Sequence, residues 1–230
     1  MQTLASQKTV LLIGASRGLG LAMAEEYLKR GWHVIATGRA ASTDSLRRLA
    51  GTLEVETVDI TIPEQVAELR TRLEGRQIDV LFVNAGVKND DRETIADVST
   101  DEFVRVMVTN SLSPMRVIEA FEDLVRPNGT IGVMSSGQGS VTNNVNGKYE
   151  VYRGSKAALN MFMRSFAARH ANDPRTLLLM APGWVRTDMG GPEARLSIEE
   201  SIPSLLNTID AYEGRSGLHY LDYLGRVVPW

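Results

Sequence analysis

The chain alternates short runs that are apolar at every position with longer segments that place an apolar residue every three or four positions. The first pattern predicts strands buried on both faces, and the second predicts helices with one buried face. The predicted strands are residues 8–14, 32–38, 53–58, 78–83, 130–134, 176–180 and 218–221. The predicted helices are residues 22–30, 44–50, 64–73, 100–125, 150–170 and 198–212.

Strands that do not alternate between apolar and polar positions predict a parallel sheet, because helices must then cover both of its faces. Regular alternation of strands and helices predicts an α/β fold, a Rossmann-type doubly wound parallel sheet in a three-layer α/β/α sandwich. Because no proline- or serine-rich linker interrupts the pattern, residues 1–230 are expected to form a single domain. In such sheets ligands bind beyond the carboxyl ends of the strands, so candidate site residues are those that directly follow a strand.

Composition narrows the possible functions. The 230 residues contain 25 Lys and Arg against 28 Asp and Glu, a net charge of −3, which argues against a nucleic-acid partner. Cysteine is absent, which excludes disulfides, thiolate zinc sites and a cysteine nucleophile, and three scattered histidines predict no metal site. With no leader peptide and no apolar run near the roughly 20 residues of a membrane span, we expect a cytoplasmic protein with no membrane partner.

A glycine cluster follows the first predicted strand and precedes a helix. Glycines at this position allow a tight turn and a close approach of the backbone to a phosphate at the helix N-terminus. The alternative is a flexible loop, but the placement favours a nucleotide-binding turn. Its candidate residues are Gly14, Ser16, Arg17, Gly18, Leu19 and Gly20.

The end of the second strand predicts which dinucleotide binds. A carboxylate there binds the ribose 2′-hydroxyl of NAD, whereas a cation accommodates the 2′-phosphate of NADP. Arg39 occupies this position, and Arg17 offers a second guanidinium. Both arginines could instead be solvated surface residues, and Asp44 is the nearest acid that could bind a ribose. The pattern favours NADP(H).

Two pairs of residues on the predicted helices carry candidate chemistry. Tyr152 and Lys156 lie one turn apart on one face, where an ammonium would lower the phenol pKa from its usual value of about 10 towards neutrality. Pro114 lacks the N–H that would bond the carbonyl of Asn110, so the helix should bend there and leave that carbonyl free to hold a water.

Together these motifs resemble the short-chain dehydrogenase/reductase family over essentially the whole chain. The matching pieces are the turn Gly14–Gly20, Asp59, Asn84-Ala85-Gly86, Asn110, Ser135-Ser136, Tyr152-x-x-x-Lys156, and Pro182-Gly183 with Thr187. The segment YRGSKAALN and the ending GRVVPW look most like the C-factor-like carbonyl reductase subgroup.

The resemblance implies a role for each matching residue. Tyr152 would donate the proton, Lys156 would bind the nicotinamide ribose, Ser136 would orient the substrate carbonyl, and Asn110 would relay protons through water. Asp59 and Ile60 would contact the adenine. The remaining cofactor contacts would come from Asn84, Ala85 and Gly86 on the adenosine side and from Pro182, Gly183, Val185 and Thr187 beside the nicotinamide.

The implied activity is NADPH-dependent hydride transfer between the nicotinamide and a carbonyl or alcohol substrate. A cofactor-binding sensor or signalling protein that acts through a protein partner is the alternative, and an isomerase or dehydratase on the same scaffold is a third. The interval from Ser136 to Tyr152 is a few residues longer than usual, so Ser135 or Ser140 could replace Ser136. The apolar faces of residues 103–121 and 157–166 are larger than packing on one sheet face needs, and the family resemblance implies subunit contacts through these two helices, so we expect a homodimer or homotetramer.

Overall fold

Seven parallel strands form one sheet in the computed structural model, which describes residues 7–230. The strand order β3-β2-β1-β4-β5-β6-β7 places the change of direction between β1 and β4. The strands are β1 (Thr9–Ile13), β2 (His33–Gly38), β3 (Leu53–Thr57), β4 (Ile78–Val83), β5 (Val125–Met134), β6 (Thr176–Ala181) and β7 (Gly217–Asp222). The predicted parallel sheet is therefore confirmed.

Helices cover both faces of this sheet. They are α1 (Gly18–Lys29), α2 (Asp44–Arg47), α3 (Pro63–Arg72), α4 (Thr100–Met107), α5 (Ser113–Phe121), α6 (Glu150–Arg169) and α7 (Ile198–Tyr212). Helices α3, α5 and α6 pack on one face, and α1, α2 and α7 pack on the other. No helix within residues 7–230 has the length and apolarity needed to cross a membrane.

Strand β1 shows why the strands are apolar at every position. Leu11 and Ile13 belong to the core that faces α3, α5 and α6, while Val10 and Leu12 belong to the core on the opposite face. Successive side chains of a strand point to opposite faces, so a sheet covered on both sides needs apolar residues throughout. This arrangement confirms the predicted three-layer α/β/α sandwich.

The predicted helix over residues 100–125 is interrupted and ends early. Helices α4 and α5 are joined by a π-type segment, Val108–Leu112, whose following N–H at Ser113 bonds the carbonyl of Val108 five residues back. Pro114 cannot donate a backbone hydrogen bond, so the regular α-helical ladder is broken where the sequence predicts a bend.

Strand β5 begins at Val125, five residues before the predicted start. Its register with β4 shifts between Ile78, which pairs with Val125, and Val80, which pairs with Thr130. The intervening residues 126–129, Arg-Pro-Asn-Gly, have the composition of a turn but form an irregularity inside the strand. The turn-like composition of residues 126–129 is the reason that the predicted start of this strand is five residues too late.

Candidate functional site

A cleft of about 1370 Å³ lies at the carboxyl ends of the strands. Eighteen of the twenty predicted site residues line it: Gly14, Ser16, Arg17, Gly18, Leu19, Arg39, Asp59, Ile60, Asn84, Ala85, Gly86, Ser136, Tyr152, Lys156, Pro182, Gly183, Val185 and Thr187. The two that do not are Gly20 and Asn110, and both are buried behind the lining. Sequence reasoning thus identified residues that the fold brings to one place.

The glycine turn forms the floor of one end of the cleft. Gly14 has a φ of +84°, and a Cβ added there would lie 2.7 Å from the backbone of Ala85. A Cβ at Gly20 would lie 2.2 Å from the Gly14 carbonyl oxygen, so Gly20 permits the close packing of the turn. Helix α1 then begins at Gly18 with no acidic residue in its first turn. These features fit a bound phosphate group.

The end of β2 presents a free cation to the same cleft. Among residues 7–230, the guanidinium of Arg39 has no ion-pair partner within 4.0 Å. Asp44 begins α2 and is not part of the cleft lining. Arg17 differs from the expectation, because its guanidinium pairs with the Asp188 carboxylate at 3.0 Å. Arg39 is therefore the better placed of the two arginines for an anionic ligand.

Asn110 acts through its side chain in this structure. Its Nδ2 donates to the Val87 carbonyl at 2.8 Å and to the Ser155 hydroxyl at 2.9 Å, and its Oδ1 accepts from the Val87 N–H at 2.8 Å. The carboxamide therefore joins the segment after β4 to helix α6 one residue before Lys156. The position of Pro114 in the sequence points only to the backbone carbonyl of Asn110, so these side-chain contacts of Asn110 were not predicted.

Lys156 is buried and Tyr152 is half-buried at the far end of the cleft. The Lys156 ammonium donates to the Met134 carbonyl at 2.8 Å and lies 5.9 Å from the centre of the Tyr152 ring. Burial lowers the pKa of Lys156 to about 8. Burial raises the pKa of Tyr152 to about 12, while a hydrogen bond with the Ser136 hydroxyl opposes this increase.

The raised pKa corrects the expectation that Lys156 would bring the Tyr152 pKa towards neutrality. Burial penalises the charged form of each group and is the largest cause of both pKa shifts. Tyr152 consequently holds its proton over the whole neutral range. That protonation state suits a group that must give up a proton during a reduction.

The structure separates the three candidate serines. Ser135 donates to Asn160 Oδ1 at 2.6 Å, and Ser140 donates to the Trp230 carbonyl at 3.2 Å. Both hydroxyls therefore donate to structural partners, whereas the Ser136 hydroxyl only accepts from the Gln138 N–H, at 3.1 Å, and faces the Tyr152 phenol. The geometry favours Ser136 as the residue that orients a substrate carbonyl.

The last strand and the segment after it supply residues that sequence reasoning missed. Tyr220 on β7 donates its hydroxyl proton to the Ser136 carbonyl, and the Trp230 carbonyl accepts from the Thr142 N–H at 2.9 Å. Arg226, Val227, Val228 and Pro229 line the cleft. These contacts join residues more than 80 positions apart, so no local pattern signals them.

One cluster of side chains of the types that bind metal ions lies away from the cleft. Glu122, His170 and Asp173 approach one another within 4.8 Å, although the sequence predicts no such group. Arg175 donates to both carboxylates and lies between them as a fixed positive charge. This cluster is accounted for by ion pairing.

A parallel α/β sheet with a glycine turn after β1, and with a half-buried tyrosine beside a buried lysine at the other end of one cleft, is typical of dinucleotide-binding oxidoreductases. The chain belongs to the short chain dehydrogenase family, whose sequence pattern it matches over residues 8–195.

Individual relatives support the same assignment. The chain is 36% identical to the C-signal protein of Myxococcus xanthus over 155 residues, which are 66% of this chain and 93% of that protein. It is 57% identical to a short-chain dehydrogenase/reductase of Burkholderia multivorans solved with bound NADP, with a TM-score of 0.92 and coverage of 97% and 100% of the two chains. It is 33% identical to a carbonyl reductase of Pseudomonas aeruginosa PAO1 in complex with NADP, with a TM-score of 0.90 and coverage of 98% and 100%. The similarities to C-signal and to the carbonyl reductase agree with the subgroup that the sequence resembles.

The low pKa of Lys156 predicts a measurable dependence of stability on pH. Between about pH 8, where the folded protein loses this proton, and pH 10.5, where the unfolded chain loses it, the unfolded chain binds one proton more. Rising pH should therefore stabilise the wild type relative to Lys156→Met by up to about 3 kcal/mol. Urea unfolding at pH 7, 8, 9 and 10 measures this difference. Lys29 is exposed, so Lys29→Met is the control and should show no such rise. If the difference in free energy of unfolding between the wild type and Lys156→Met does not change with pH, the argument from burial is wrong.

Proposed function

We propose that the protein is an NADPH-dependent oxidoreductase of the carbonyl reductase type, which transfers a hydride between the nicotinamide and a carbonyl or alcohol substrate. The observation that carries this proposal is the placement of Ser136, Tyr152 and Lys156 at one end of a cleft whose other end holds the glycine turn and the free Arg39. NADP in two similar solved structures supports the choice of cofactor. Residues 1–230 would then form a single dinucleotide-binding and catalytic domain.

The cleft has groups that fit each part of NADP(H). Arg39 would bind the 2′-phosphate, the turn from Gly14 to Gly20 would bind the pyrophosphate, and Asp59 with Ile60 would contact the adenine. Gly86 leaves room beside Lys156, since a Cβ at Gly86 would lie 3.5 Å from the Lys156 ammonium. The adenosine side would be completed by Asn84 and Ala85, and the nicotinamide side by Pro182, Gly183, Val185 and Thr187.

The bound cofactor supplies the hydride, and the protein supplies the proton and the geometry. Ser136 donates a hydrogen bond to the substrate oxygen and holds the carbonyl beside Tyr152. Tyr152 gives its phenolic proton to this oxygen as negative charge develops on it, so that a ketone or aldehyde becomes an alcohol. The Lys156 ammonium binds the nicotinamide ribose and stabilises the resulting phenolate.

The intact set of reacting groups favours an enzyme over a sensor that acts through a protein partner. A sensor needs the cofactor end of the cleft but has no need for a phenol in the cleft with a serine hydroxyl beside it. An isomerase or dehydratase on this scaffold would also use a proton donor, but the free Arg39 favours a site for NADP(H). A cytoplasmic location stays a prediction.

A homodimer or homotetramer is also part of the proposal. Helices α4, α5 and α6 share a side of the molecule with exposed apolar residues, and Met161 is 61% exposed. The others are Phe103, Val104, Leu112 and Phe162. Exposed apolar residues on neighbouring helices are typical of contacts between subunits.

Replacing Tyr152 with Phe tests the chemical proposal. The variant keeps the ring but has no proton to donate, so kcat for carbonyl reduction should fall by at least about 10²-fold. Its affinity for NADPH should stay unchanged, because the lost hydroxyl faces Ser136. Stopped-flow oxidation of NADPH and calorimetric titration measure the two quantities, with Tyr212→Phe as the control. Full turnover in Tyr152→Phe would rule out the proposed role.

Replacing Arg39 with Ala tests the choice of cofactor. Loss of a charged hydrogen-bonding partner for the 2′-phosphate should raise the Kd for NADPH by about ten- to a hundredfold and leave the Kd for NADH unchanged. Arg47→Ala, on the exposed part of α2 outside the cleft lining, is the matched control. Equal weakening of both cofactors would argue against a contact with the 2′-phosphate.

Introducing a charge on α6 tests the oligomer. Met161→Glu should convert the wild-type dimer or tetramer to smaller species, because a carboxylate cannot be buried without a partner in an apolar interface. Light scattering after size exclusion gives the mass. Ala67→Glu on α3 adds the same charge elsewhere and should leave the mass unchanged, and a monomeric wild type would refute the proposal.

A further inference from the structure

Tyr149 has an unusual backbone conformation at the edge of the cleft. Its φ of +61° and ψ of +42° are left-handed, and within residues 7–230 no other residue besides glycine has a positive φ. A bulky side chain in this conformation is strained and persists only where surrounding contacts hold it. Tyr149 lines the cleft three residues before Tyr152. An aromatic side chain with a strained backbone therefore lies in the cleft close to Tyr152.

Arg153 supplies the contacts that hold this conformation. Its side chain is only 8% exposed, yet within the described chain it has no carboxylate partner. Its Nε donates to the Lys148 carbonyl at 2.6 Å, and its Nη2 donates to Asn146 Oδ1 at 3.1 Å. The backbone N–H of Arg153 also donates to the Tyr149 carbonyl at 2.8 Å. One guanidinium thus fixes the segment that leads into Tyr149.

This clamp explains the long interval between Ser136 and Tyr152. The segment 141–148 is exposed throughout, with Val145 at 89%, and has no core of its own. Its start is bonded to Trp230 through Thr142, and its end is bonded to Arg153. Fixing both ends turns an exposed loop into a defined wall beside the reacting groups.

Within the described residues, the charged side chains that line the cleft are in ion pairs, apart from Arg39, Asp59 and Lys156. Asp188 is paired with Arg17, and Asp222 is paired with Arg226 at 2.6 Å. Trp184, Met189 and Val227 add aromatic and apolar surface to the lining. The Trp184 indole N–H donates to the Gly190 carbonyl at 2.8 Å, which fixes that ring. Such a lining suits an uncharged group with a flat apolar surface.

We propose that Tyr149 recognises substrate, that Arg153 is its positioning residue, and that the preferred substrates are uncharged carbonyl compounds with an aromatic ring. The proposal rests on the proposed oxidoreductase function and adds to it a specificity-determining residue. Both tyrosines leave the same loop-to-helix junction, so a carbonyl beside Tyr152 would place an attached ring near Tyr149.

Tyr149→Gly is the main test, because glycine adopts the left-handed conformation without strain. The variant should unfold at a temperature no lower than the wild type. Its KM for benzaldehyde should rise about tenfold, while its KM for acetaldehyde and its Kd for NADPH stay unchanged. Tyr149→Phe should keep the wild-type KM for benzaldehyde. Val145→Gly is the matched control, since it loosens the same exposed loop without removing a cleft residue, and it should change neither KM.

Arg153→Met tests the clamp. It should reproduce the benzaldehyde-specific rise in KM, and combining it with Tyr149→Gly should give no further rise, because both changes remove the same contact. Arg153→Lys keeps the charge but lacks the planar fork, so it should show the same effect if Arg153→Met does not fold. If the two substitutions together raise the KM for benzaldehyde by the product of their separate effects, the role assigned to Arg153 is wrong.

Two results would overturn the role of Tyr149: an unchanged KM for benzaldehyde in Tyr149→Gly, or an equal rise for both aldehydes. If the wild type oxidises NADPH with neither aldehyde, the proposed reduction fails for these compounds and recognition is measured directly. Saturation-transfer NMR then follows benzyl alcohol with the NADP⁺-loaded protein. Binding by the wild type that disappears in Tyr149→Gly supports recognition, whereas binding by neither protein or equally by both overturns it.

Discussion

The site depends on the close approach of two backbones at the point where the strand order changes direction. Gly14 lies against Ala85 so closely that no side chain would fit between them, and Gly20 lies just as close to Gly14. This contact fixes the start of α1 relative to the end of β4. From there Val87 is bonded to the Asn110 carboxamide, which reaches Ser155 beside Lys156. The end of the cleft that holds the glycine turn and the end that holds Lys156 are therefore joined by one short series of direct contacts.

Burial shifts the pKa values of Tyr152 and Lys156 in opposite directions. The same removal from water that keeps the proton on Tyr152 makes the charge on Lys156 costly, and the Met134 carbonyl is the acceptor that compensates part of this cost. A buried ammonium near its own pKa is sensitive to any additional hydrogen-bond acceptor. A ribose hydroxyl would be such an acceptor, so cofactor binding and protonation of Lys156 should favour each other.

Much of the fold and the residues that line the site could be predicted from sequence, for identifiable physical reasons. Strands buried on both faces are apolar at every position, and parallel strands bring their following residues to one edge, which is why Asp59, Asn84 and Ser136 meet in one cleft. The pKa of Tyr152 could not be predicted, because burial is a property of the folded molecule. Tyr149 and Arg153 were missed because a strained backbone and an unpaired buried cation leave no pattern along the chain.

The hydrogen bond from Tyr220 to the Ser136 carbonyl has a consequence for biosynthesis. The ribosome synthesises the glycine turn before β7, so the segment that carries Ser136 emerges well before the strand that holds it in place. A nascent chain can therefore form the glycine-turn half of the cleft while the half around Ser136 is still incomplete. The cleft wall is completed only after residues 220–230 have been synthesised, around a floor that precedes them in the chain.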